Sequence, residues 1–331
     1  MPAYNAATTL DAALESLRLQ TLADFEIVLV DDGSEDTTGQ TIRVWQDRDP
    51  RVQPVAQPHR GLIAALNRGL AACRGDLVAR MDADDLAHPE RLERQVRLLD
   101  DEPEISVAGS LVEIFPREDL REGFRIYEDW LNQAVRHEEI VREIFIESPI
   151  AHSSALLRRR ELVDLGGYAD RGWPEDYDLW LRYFAAGRRF GKVPLRLLRW
   201  REHPQRATHT DSRYSVENFL RAKAHYLCRG VLRGRDAVLM WGAGKTGRRL
   251  SKHLIRGGRA PRAFIDIDPS RIGSTLRGIP IFDPSELPAL WAQWQRPVLL
   301  SAVASRGARA LIRQQLAGLH LVEGRDFWCA A

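Results

Sequence analysis

The chain has 331 residues, 28% of them charged, and a formal net charge of +2, which is ordinary for a protein of two globular domains. The near-neutral charge gives no reason to expect a nucleic-acid partner, and no apolar run approaches the roughly 20 residues that span a bilayer. The three cysteines are far apart and form neither a CxxC pair nor a disulfide framework, and the N-terminus has no signal-peptide pattern.

These features predict a cytoplasmic protein. Two arginine clusters, at residues 158–160 and 188–189, offer a peripheral contact with anionic lipid at the inner face of the membrane. Short basic runs are more often solvated surface, however, and we favour that interpretation.

The first hundred residues alternate between helical and strand patterns. Helical spacing of apolar residues begins at Leu10, and further helices are predicted at residues 61–73 and after Pro89. Buried strands are predicted at residues 25–32, 52–57 and 76–81. This alternation indicates a parallel sheet with crossover helices, and therefore the α/β class.

Two acidic clusters follow predicted strands of this sheet. They are Asp31 with Asp32, and Asp82 with Asp84 and Asp85. Ligands of open α/β sheets bind outside the carboxyl ends of the strands. Because neighbouring carboxylates repel each other, a cation would stabilise the second cluster, and hard oxygen ligands suit Mg²⁺ or Mn²⁺. Capping of the following helix is the alternative for each cluster.

The pattern is weaker from residue 104 to residue 200. It indicates a strand at residues 105–115, a helix at 176–187, a helical connector at 213–234 and a new strand at 236–241. We therefore predict one domain at residues 1–212 and a second at residues 235–331.

A glycine motif lies between a strand and a helix of the second domain. It consists of Gly242, Gly244 and Gly247. In dinucleotide-binding folds, an acidic residue that binds a ribose hydroxyl follows such a motif by about 20 positions, and Asp266 lies at a similar spacing here. The motif predicts a small Rossmann-like α/β domain. A bound nucleotide or NAD(P) and a purely structural role both stay open.

Four segments occur in an order that resembles glycosyltransferase family 2. They are PAYN (2–5), VDDGSEDT (30–37), MDADD (81–85) and WPEDYDLWLR (173–182). The resemblance extends to about residue 210 and implies the A-type glycosyltransferase fold. It further implies an inverting enzyme that uses Mg²⁺ or Mn²⁺, a nucleoside diphosphate sugar donor, first of all a UDP-sugar, and a glycan or lipid-linked acceptor. The C-terminal domain resembles the short Rossmann-like domains attached to sugar-modifying enzymes of surface polysaccharide assembly, which implies a role in surface polysaccharide biosynthesis.

The same resemblance implies a role for each matching position. The implied donor contacts are Pro2, Tyr4, Asp31, Asp32, Asn67 and Asp82. Asp84, Asp82 and His203 would bind the metal, and His152 and Trp173 would contact the acceptor. Asp176 corresponds to the catalytic base and Glu175 to its acidic neighbour. The alternatives are helix capping for the acids and a place in the core for the histidines and Trp173.

The sequence departs from the family at its start, where members carry a short apolar strand before the PAYN segment. Either the start lies further upstream or the sheet lacks this strand, and the second alternative predicts a hole beside the nucleotide base.

Three other functions stay open at this stage. A sugar-phosphate nucleotidyltransferase needs a glycine-rich phosphate loop near its N-terminus, and residues 1–20 contain no glycine. A degenerate sugar-nucleotide sensor would bind a donor without turning it over. An NAD-dependent oxidoreductase would be centred on the C-terminal domain.

Overall fold

The chain folds into two compact units, each built from separated segments. A computed structural model describes residues 1–118 and 120–331. The first unit comprises Met1–Ile140, Pro149–Arg171 and Asp178–Thr210. The second comprises Val141–Ser148, Gly172–Tyr177 and Asp211–Ala331. Across the described residues, no helix combines the length and the apolar character needed to cross a bilayer.

Strands and helices up to residue 210 follow one another in a mixed α/β order. The strands are β1 (Pro2–Ala3), β2 (Ile27–Asp31), β3 (Val52–Ala56), β4 (Leu77–Ala79), β5 (Leu86–Ala87), β6 (Ile105–Phe115), β7 (Leu156–Arg158) and β8 (Arg189–Arg201). The helices are α1 (Leu10–Arg18), α2 (Thr38–Arg48), α3 (Leu62–Ala72), α4 (Arg91–Asp101), α5 (Glu122–Gln133), α6 (His137–Glu143), α7 (Arg159–Asp164), α8 (Glu175–Ala185) and α9 (Ala207–Thr210). The predicted strands at 25–32, 52–57 and 76–81 and the predicted helix at 61–73 are confirmed.

The first unit contains two sheets. One has the parallel order β1-β2-β3, and the other has the order β4-β7-β6-β8-β5. In the second sheet β6 and β8 pair in parallel, whereas β7 is antiparallel to both β4 and β6. The acidic segment at 81–85 lies between β4 and β5, so its predicted position after a strand is confirmed. The prediction that this strand belongs to one parallel sheet with the strands at 25–32 and 52–57 is wrong, because β4 pairs antiparallel with β7 in the other sheet.

The helices of the first unit form because their apolar side chains repeat at the helical period. α1 buries Leu10, Ala13, Leu14 and Leu17. These side chains share one core cluster with Leu29 of β2 and Trp45 of α2. The buried Trp45 indole N–H donates to Asp11 (2.9 Å), which satisfies its polar group. This packing holds the carboxyl end of β2, where Asp31 and Asp32 lie.

A cavity of 760 Å³ lies in the first unit beside the amino end of β1. Its walls come from β2, α3, β4 and α4, and the residues that line it include Met1, Val28, Ala65, Leu77 and Leu92. The Met1 ammonium donates to the carbonyl oxygen of Val28 (2.8 Å), and burial lowers its pKa to about 6. Much of its lining is apolar, and part of it is open to solvent.

Filling this cavity is expected to stabilise the first unit. Because β1 runs parallel to β2, five alternating valine and isoleucine residues added ahead of Met1 would continue along Asp24–Val28 and enter the cavity. Burial contributes about 1.5–3 kcal/mol per apolar side chain against about 1–2 kcal/mol of backbone entropy per residue. A net gain of about 2 kcal/mol would raise the Tm by about 4–8 °C in a domain of this size. The control is a glycine and serine extension of equal length, and equal Tm values for the two extended proteins would contradict the expectation.

The second unit is built around a parallel sheet. Its strands are β9 (Ala237–Trp241), β10 (Ala263–Ile265), β11 (Thr275–Leu276), β12 (Ile279–Phe282), β13 (Pro297–Ser301) and β14 (Phe327–Cys329), and its helices beyond residue 210 are α10 (Val216–Arg229), α11 (Lys245–Arg256), α12 (Leu287–Trp291) and α13 (Ala308–Gly318). The order is β11-β12-β10-β9-β13-β14, with only the β11 pairing antiparallel among the described residues. This order corresponds to a doubly wound α/β sheet.

The arginine clusters considered for membrane contact make bonds within the first unit. Arg158 donates to the carbonyl oxygens of Ile105 and Leu99, and Arg159 donates to that of Gly75. Arg188 and Arg189 pair with Glu161 and Glu138 at 3.6 Å and 3.1 Å. These contacts favour a role in the fold over a membrane contact.

Candidate active site

The acidic loop after β4 gathers three carboxylates. One oxygen each from Asp82, Asp84 and Asp85 lies within 4.8 Å of the others. Asp82 and Asp84 are partly exposed, whereas Asp85 is fully buried and accepts the backbone N–H of Arg201 (2.8 Å). Burial, together with the two neighbouring carboxylates, raises the pKa of Asp85 to about 8. Asp85 therefore ties the loop to β8, and the other two carboxylates are only partly buried.

Asp84 lies beside an imidazole. His203 Nε2 is 3.0 Å from Asp84 Oδ2, and the Arg201 side chain donates to the Asp84 carbonyl oxygen (2.7 Å). Burial and the charge of Asp82 raise the pKa of Asp84, and the His203 contact opposes that rise. The structure thus brings together Asp84 and His203, which are 119 positions apart in the chain.

A buried guanidinium balances part of the negative charge. Arg80 is 5% exposed and forms an ion pair with Asp82. Although burial works against the charged guanidinium, Asp82 raises the pKa of Arg80, so this arginine stays charged. Arg80 therefore offsets the charge of Asp82, whereas Asp84 faces the imidazole of His203.

The donor set fits a hard divalent cation. Carboxylate oxygens suit Mg²⁺ or Mn²⁺, and an imidazole is acceptable to Mn²⁺. Asp84, Asp82 and His203 are the residues that would hold such an ion, with Asp84 as the main ligand.

Asp32 and Asp31 differ in their surroundings at the end of β2. Asp32 is 3% exposed and accepts hydrogen bonds from Gln57 Nε2 (2.6 Å) and from the backbone N–H groups of Arg60 (2.9 Å) and Gly61 (2.8 Å). It therefore holds the loop that leads into α3. Asp31 is only partly buried and accepts the N–H of Ser34 through Oδ1 (3.0 Å).

An aromatic pair stands near these aspartates. Tyr4, which follows Pro2 and Ala3 of β1, is 45% exposed and stacks on His59 with 4.0 Å between ring centroids. His59 Nδ1 lies 2.9 Å from Asp32 Oδ2. Gly33 follows Asp32 and has a φ of +72°. A Cβ added to Gly33 would lie 2.5 Å from the backbone nitrogen of His59, so the close approach of these two loops requires glycine. The pair gives a flat exposed surface on which a planar ring could stack.

Two predicted ligand-binding residues serve the fold of the first unit. The Asn67 side chain donates to the carbonyl oxygen of Tyr168 (2.8 Å) and accepts its N–H (2.9 Å). His152 is buried, and its Nε2 lies 3.1 Å from the Tyr168 hydroxyl. Burial lowers the pKa of His152 well below its usual value, so the ring is neutral. Both side chains contact Tyr168, which favours a structural role for them over the predicted ligand contacts.

The acidic pair at the start of α8 belongs to the second unit. Glu175 is buried, and both of its oxygens accept from the Tyr214 hydroxyl at 3.0 Å and 2.8 Å. Asp176 is less buried, with Oδ1 accepting the N–H of Tyr177 (2.7 Å) and Oδ2 contacting the Ser148 hydroxyl (3.4 Å). Asp176 is therefore the more accessible carboxylate of the two.

Trp173 lies in the same segment and is 7% exposed. Its ring is 5.3 Å from that of His225, and the Arg221 guanidinium lies 5.6 Å from its centroid. These contacts favour packing over the predicted acceptor contact.

The glycine motif of the second unit forms a tight turn between β9 and α11. A Cβ added to Gly247 would lie 1.8 Å from the carbonyl oxygen of Gly242, so only glycine fits there. Gly244 directly precedes α11. Asp266 accepts from the Ala243 N–H (2.7 Å), from the Asp268 N–H (3.0 Å) and from Arg271 (3.2 Å). Asp266 thus stabilises the turn itself, which favours the structural alternative for this motif.

Sequence patterns missed several residues of these sites. His59, Arg80, Ser148 and Tyr214 contact the predicted acids but belong to no recognised motif. An arginine in an otherwise apolar strand end was the one available signal, and it pointed to Arg80.

Comparisons with known proteins agree with this fold. Residues 1–166 match the model of Glycosyl transferase family 2. The chain is 33% identical over 187 residues to the amylovoran biosynthesis glycosyltransferase AmsE of Erwinia amylovora, a match that covers 56% of this chain and 67% of AmsE.

Solved structures show the same architecture. S. aureus TarS 1–349 in complex with UDP-GlcNAc has a TM-score of 0.56 at 18% identity. This match covers 77% of the present chain and 70% of the TarS chain. The mannosyltransferase PcManGT from Pyrobaculum calidifontis, in complex with GDP-Man and Mn²⁺, has a TM-score of 0.50 at 18% identity. This match covers 97% of the present chain and 79% of PcManGT.

The fold is that of the A-type glycosyltransferases, with an acidic loop after a strand of the first unit. The chain belongs to glycosyl transferase family 2 and is a glycosyltransferase.

Proposed function

We propose that the protein is an inverting, metal-dependent glycosyltransferase of surface polysaccharide biosynthesis. It moves a sugar from a nucleoside diphosphate sugar to a hydroxyl group of a glycan or lipid-linked acceptor. The observation that carries the proposal is the cluster of Asp82, Asp84 and Asp85 with His203 on Asp84. The biosynthetic role of AmsE supports the polysaccharide context.

The donor side of the reaction falls to the first unit. A bound Mg²⁺ or Mn²⁺ would stabilise the charge that develops on the leaving diphosphate. Asp84 and His203 would hold the ion, while the ion pair with Arg80 fixes the Asp82 carboxylate beside them. Tyr4 and His59 stack on the base. The family resemblance gives a ring N–H, a donor that uracil provides, to Asp32. Because Asp32 is buried and its oxygens accept from Gln57, Arg60 and Gly61, we assign this contact to the more exposed Asp31. We therefore propose a UDP-sugar donor.

The acceptor side depends on a general base. A sugar hydroxyl is a weak nucleophile, so a carboxylate must take its proton during attack on the anomeric carbon. Asp176 fills this role because it is the more exposed of the two acids. Glu175 is held by Tyr214 and keeps the start of α8 in place. Attack from the face opposite the diphosphate inverts the anomeric centre.

A screen of nucleotide sugars for donor turnover tests this function without knowledge of the acceptor. We expect release of nucleoside diphosphate from one UDP-sugar in the presence of Mn²⁺, and loss of that release on chelation. Donor binding without turnover of any nucleotide sugar would favour the sensor, and release of pyrophosphate from a nucleoside triphosphate would favour a nucleotidyltransferase.

A further inference from the structure

The start of α8 is supported by a neighbouring segment of the second unit. This support segment is Val141–Ser148. Its last residue, Ser148, contacts Asp176 Oδ2 (3.4 Å), and its Ile144 carbonyl oxygen accepts from the buried Tyr177 hydroxyl (2.8 Å). Any shift of the support segment therefore moves the groups around Asp176.

The support segment is bound in turn to the C-terminal part of the chain. Glu143 accepts from Arg313 (2.7 Å) and Arg309 (3.4 Å), both on α13. The Phe145 ring meets that of Trp328 on β14 edge to face, with 5.5 Å between centroids. A charged contact thus joins the support segment to helix α13, and an aromatic contact joins it to strand β14.

Lys223 makes a third connection, and this one is also buried. It lies on α10, and its ammonium donates to the carbonyl oxygens of Ile146 (2.6 Å) and Ala330 (3.1 Å). Lysine is almost never this buried unless its charge has partners. Burial lowers the pKa of Lys223 to about 8 and the nearby Glu147 opposes that shift, so the amine is mostly protonated at pH 7. One charged group therefore joins α10, the support segment and the chain end.

We propose that Lys223 and Glu143 are positioning residues, through which the C-terminal part of the chain holds the support segment and thereby orients Asp176. This inference rests on the proposed function, in which Asp176 is the base. The C-terminal part then contributes to catalysis through packing, with no ligand of its own needed. It acts on proton transfer from the acceptor and leaves donor binding to the first unit.

The variant Lys223→Met tests this proposal, because methionine keeps the length and removes the two hydrogen bonds. Displacement of a catalytic group by about 1 Å costs on the order of 10²-fold in rate. We expect kcat for transfer to fall by about 10- to 100-fold, with the KM for the nucleotide sugar changed by less than about twofold. The control is Lys252→Met on α11 of the same unit, a half-exposed lysine 3.6 Å from Glu217, which should leave both constants unchanged.

Glu143→Gln provides a second, milder variant in case Lys223→Met does not fold. It keeps the shape of the side chain and removes the charge that faces α13, so a smaller fall in kcat with the same KM is expected. A double-mutant cycle separates positioning from general damage. In an Asp176→Asn background, Glu143→Gln and Lys223→Met should cause little further loss. An equal loss in both backgrounds, or a rise in KM with kcat unchanged, would overturn the proposal.

Amide hydrogen exchange gives a readout that does not depend on turnover. We expect faster exchange at residues 141–148 and 172–177 in Lys223→Met than in the wild type and in Lys252→Met. If the wild type turns over no donor, the proposed function fails. The exchange measurement still tests whether Lys223 holds the support segment and residues 172–177 in place. Unchanged exchange at residues 172–177 in a folded Lys223→Met protein would overturn the positioning role.

Discussion

Replacing Asp176 with asparagine should lower kcat for sugar transfer by about 10²- to 10⁴-fold, the usual contribution of a general base. Asparagine keeps the oxygen that accepts the Tyr177 N–H, so the start of α8 should stay folded. It cannot take the proton of the attacking hydroxyl at neutral pH. The KM for the nucleotide sugar should change little, because the proposed donor contacts lie in the first unit. Initial rates at saturating acceptor check this expectation.

The matched control for this change is Asp47→Asn on α2, an exposed aspartate without a proposed role. It removes one negative charge from the protein and should leave kcat unchanged. Normal transfer by Asp176→Asn would remove this residue from the mechanism, whatever the outcome for Glu175.

Replacing Asp84 with asparagine should have the second large effect, through the metal. Mutation of a residue that only hydrogen-bonds to a metal ligand lowers metal affinity by about 10- to 100-fold. Loss of the main ligand should therefore weaken Mn²⁺ binding by at least about 100-fold. Asparagine can still pair with His203 Nε2, so the loop should keep its shape. Turnover should fall and recover in part at high Mn²⁺ concentration, which a titration of rate against Mn²⁺ measures.

The same titration on Asp47→Asn separates this effect from a general change of charge. An Asp84→Asn protein with an unchanged Mn²⁺ midpoint would show that the ion, if used, is held elsewhere. An Asp176→Asn protein should keep the wild-type midpoint, because Asp176 belongs to the second unit and has no proposed contact with the metal.

Local patterns in the sequence were sufficient for the elements whose partners are close in the chain. The buried face of α1 and the apolar run of β2 follow from spacing alone, because each buries one stripe or one strand against its neighbours. The A-type fold and the family also followed from short motifs in order, because each motif keeps its residue types over a few consecutive positions.

Strand pairs between distant parts of the chain could not be predicted from the sequence. β6 pairs in parallel with β8, with irregularities near Ser110 and Leu111, and residues some eighty positions apart become neighbours. No periodicity reports such a partner. The same is true of the support segment, which packs with the C-terminal part of the chain although it lies inside the predicted first domain.

The candidate site shows the same division. The acids of the loop at 81–85 could be found from sequence because several carboxylates together are costly without a partner. Their partners could not be found in this way. Arg201 reaches Asp85 through the tertiary fold, as Tyr214 reaches Glu175, and arginine and tyrosine at such single positions are too common to be a signal. Asn67 and His152 matched the family pattern, yet both contact Tyr168.

A crystal grown with Mn²⁺ and UDP, examined by anomalous diffraction at the manganese edge, tests the central claim most directly. That claim is that Asp84 and its neighbours hold a cation against the diphosphate of the donor. The account predicts an anomalous peak within coordination distance of an Asp84 carboxylate oxygen and of a diphosphate oxygen. Clear density for UDP with no manganese peak at Asp82, Asp84 or His203 would contradict it.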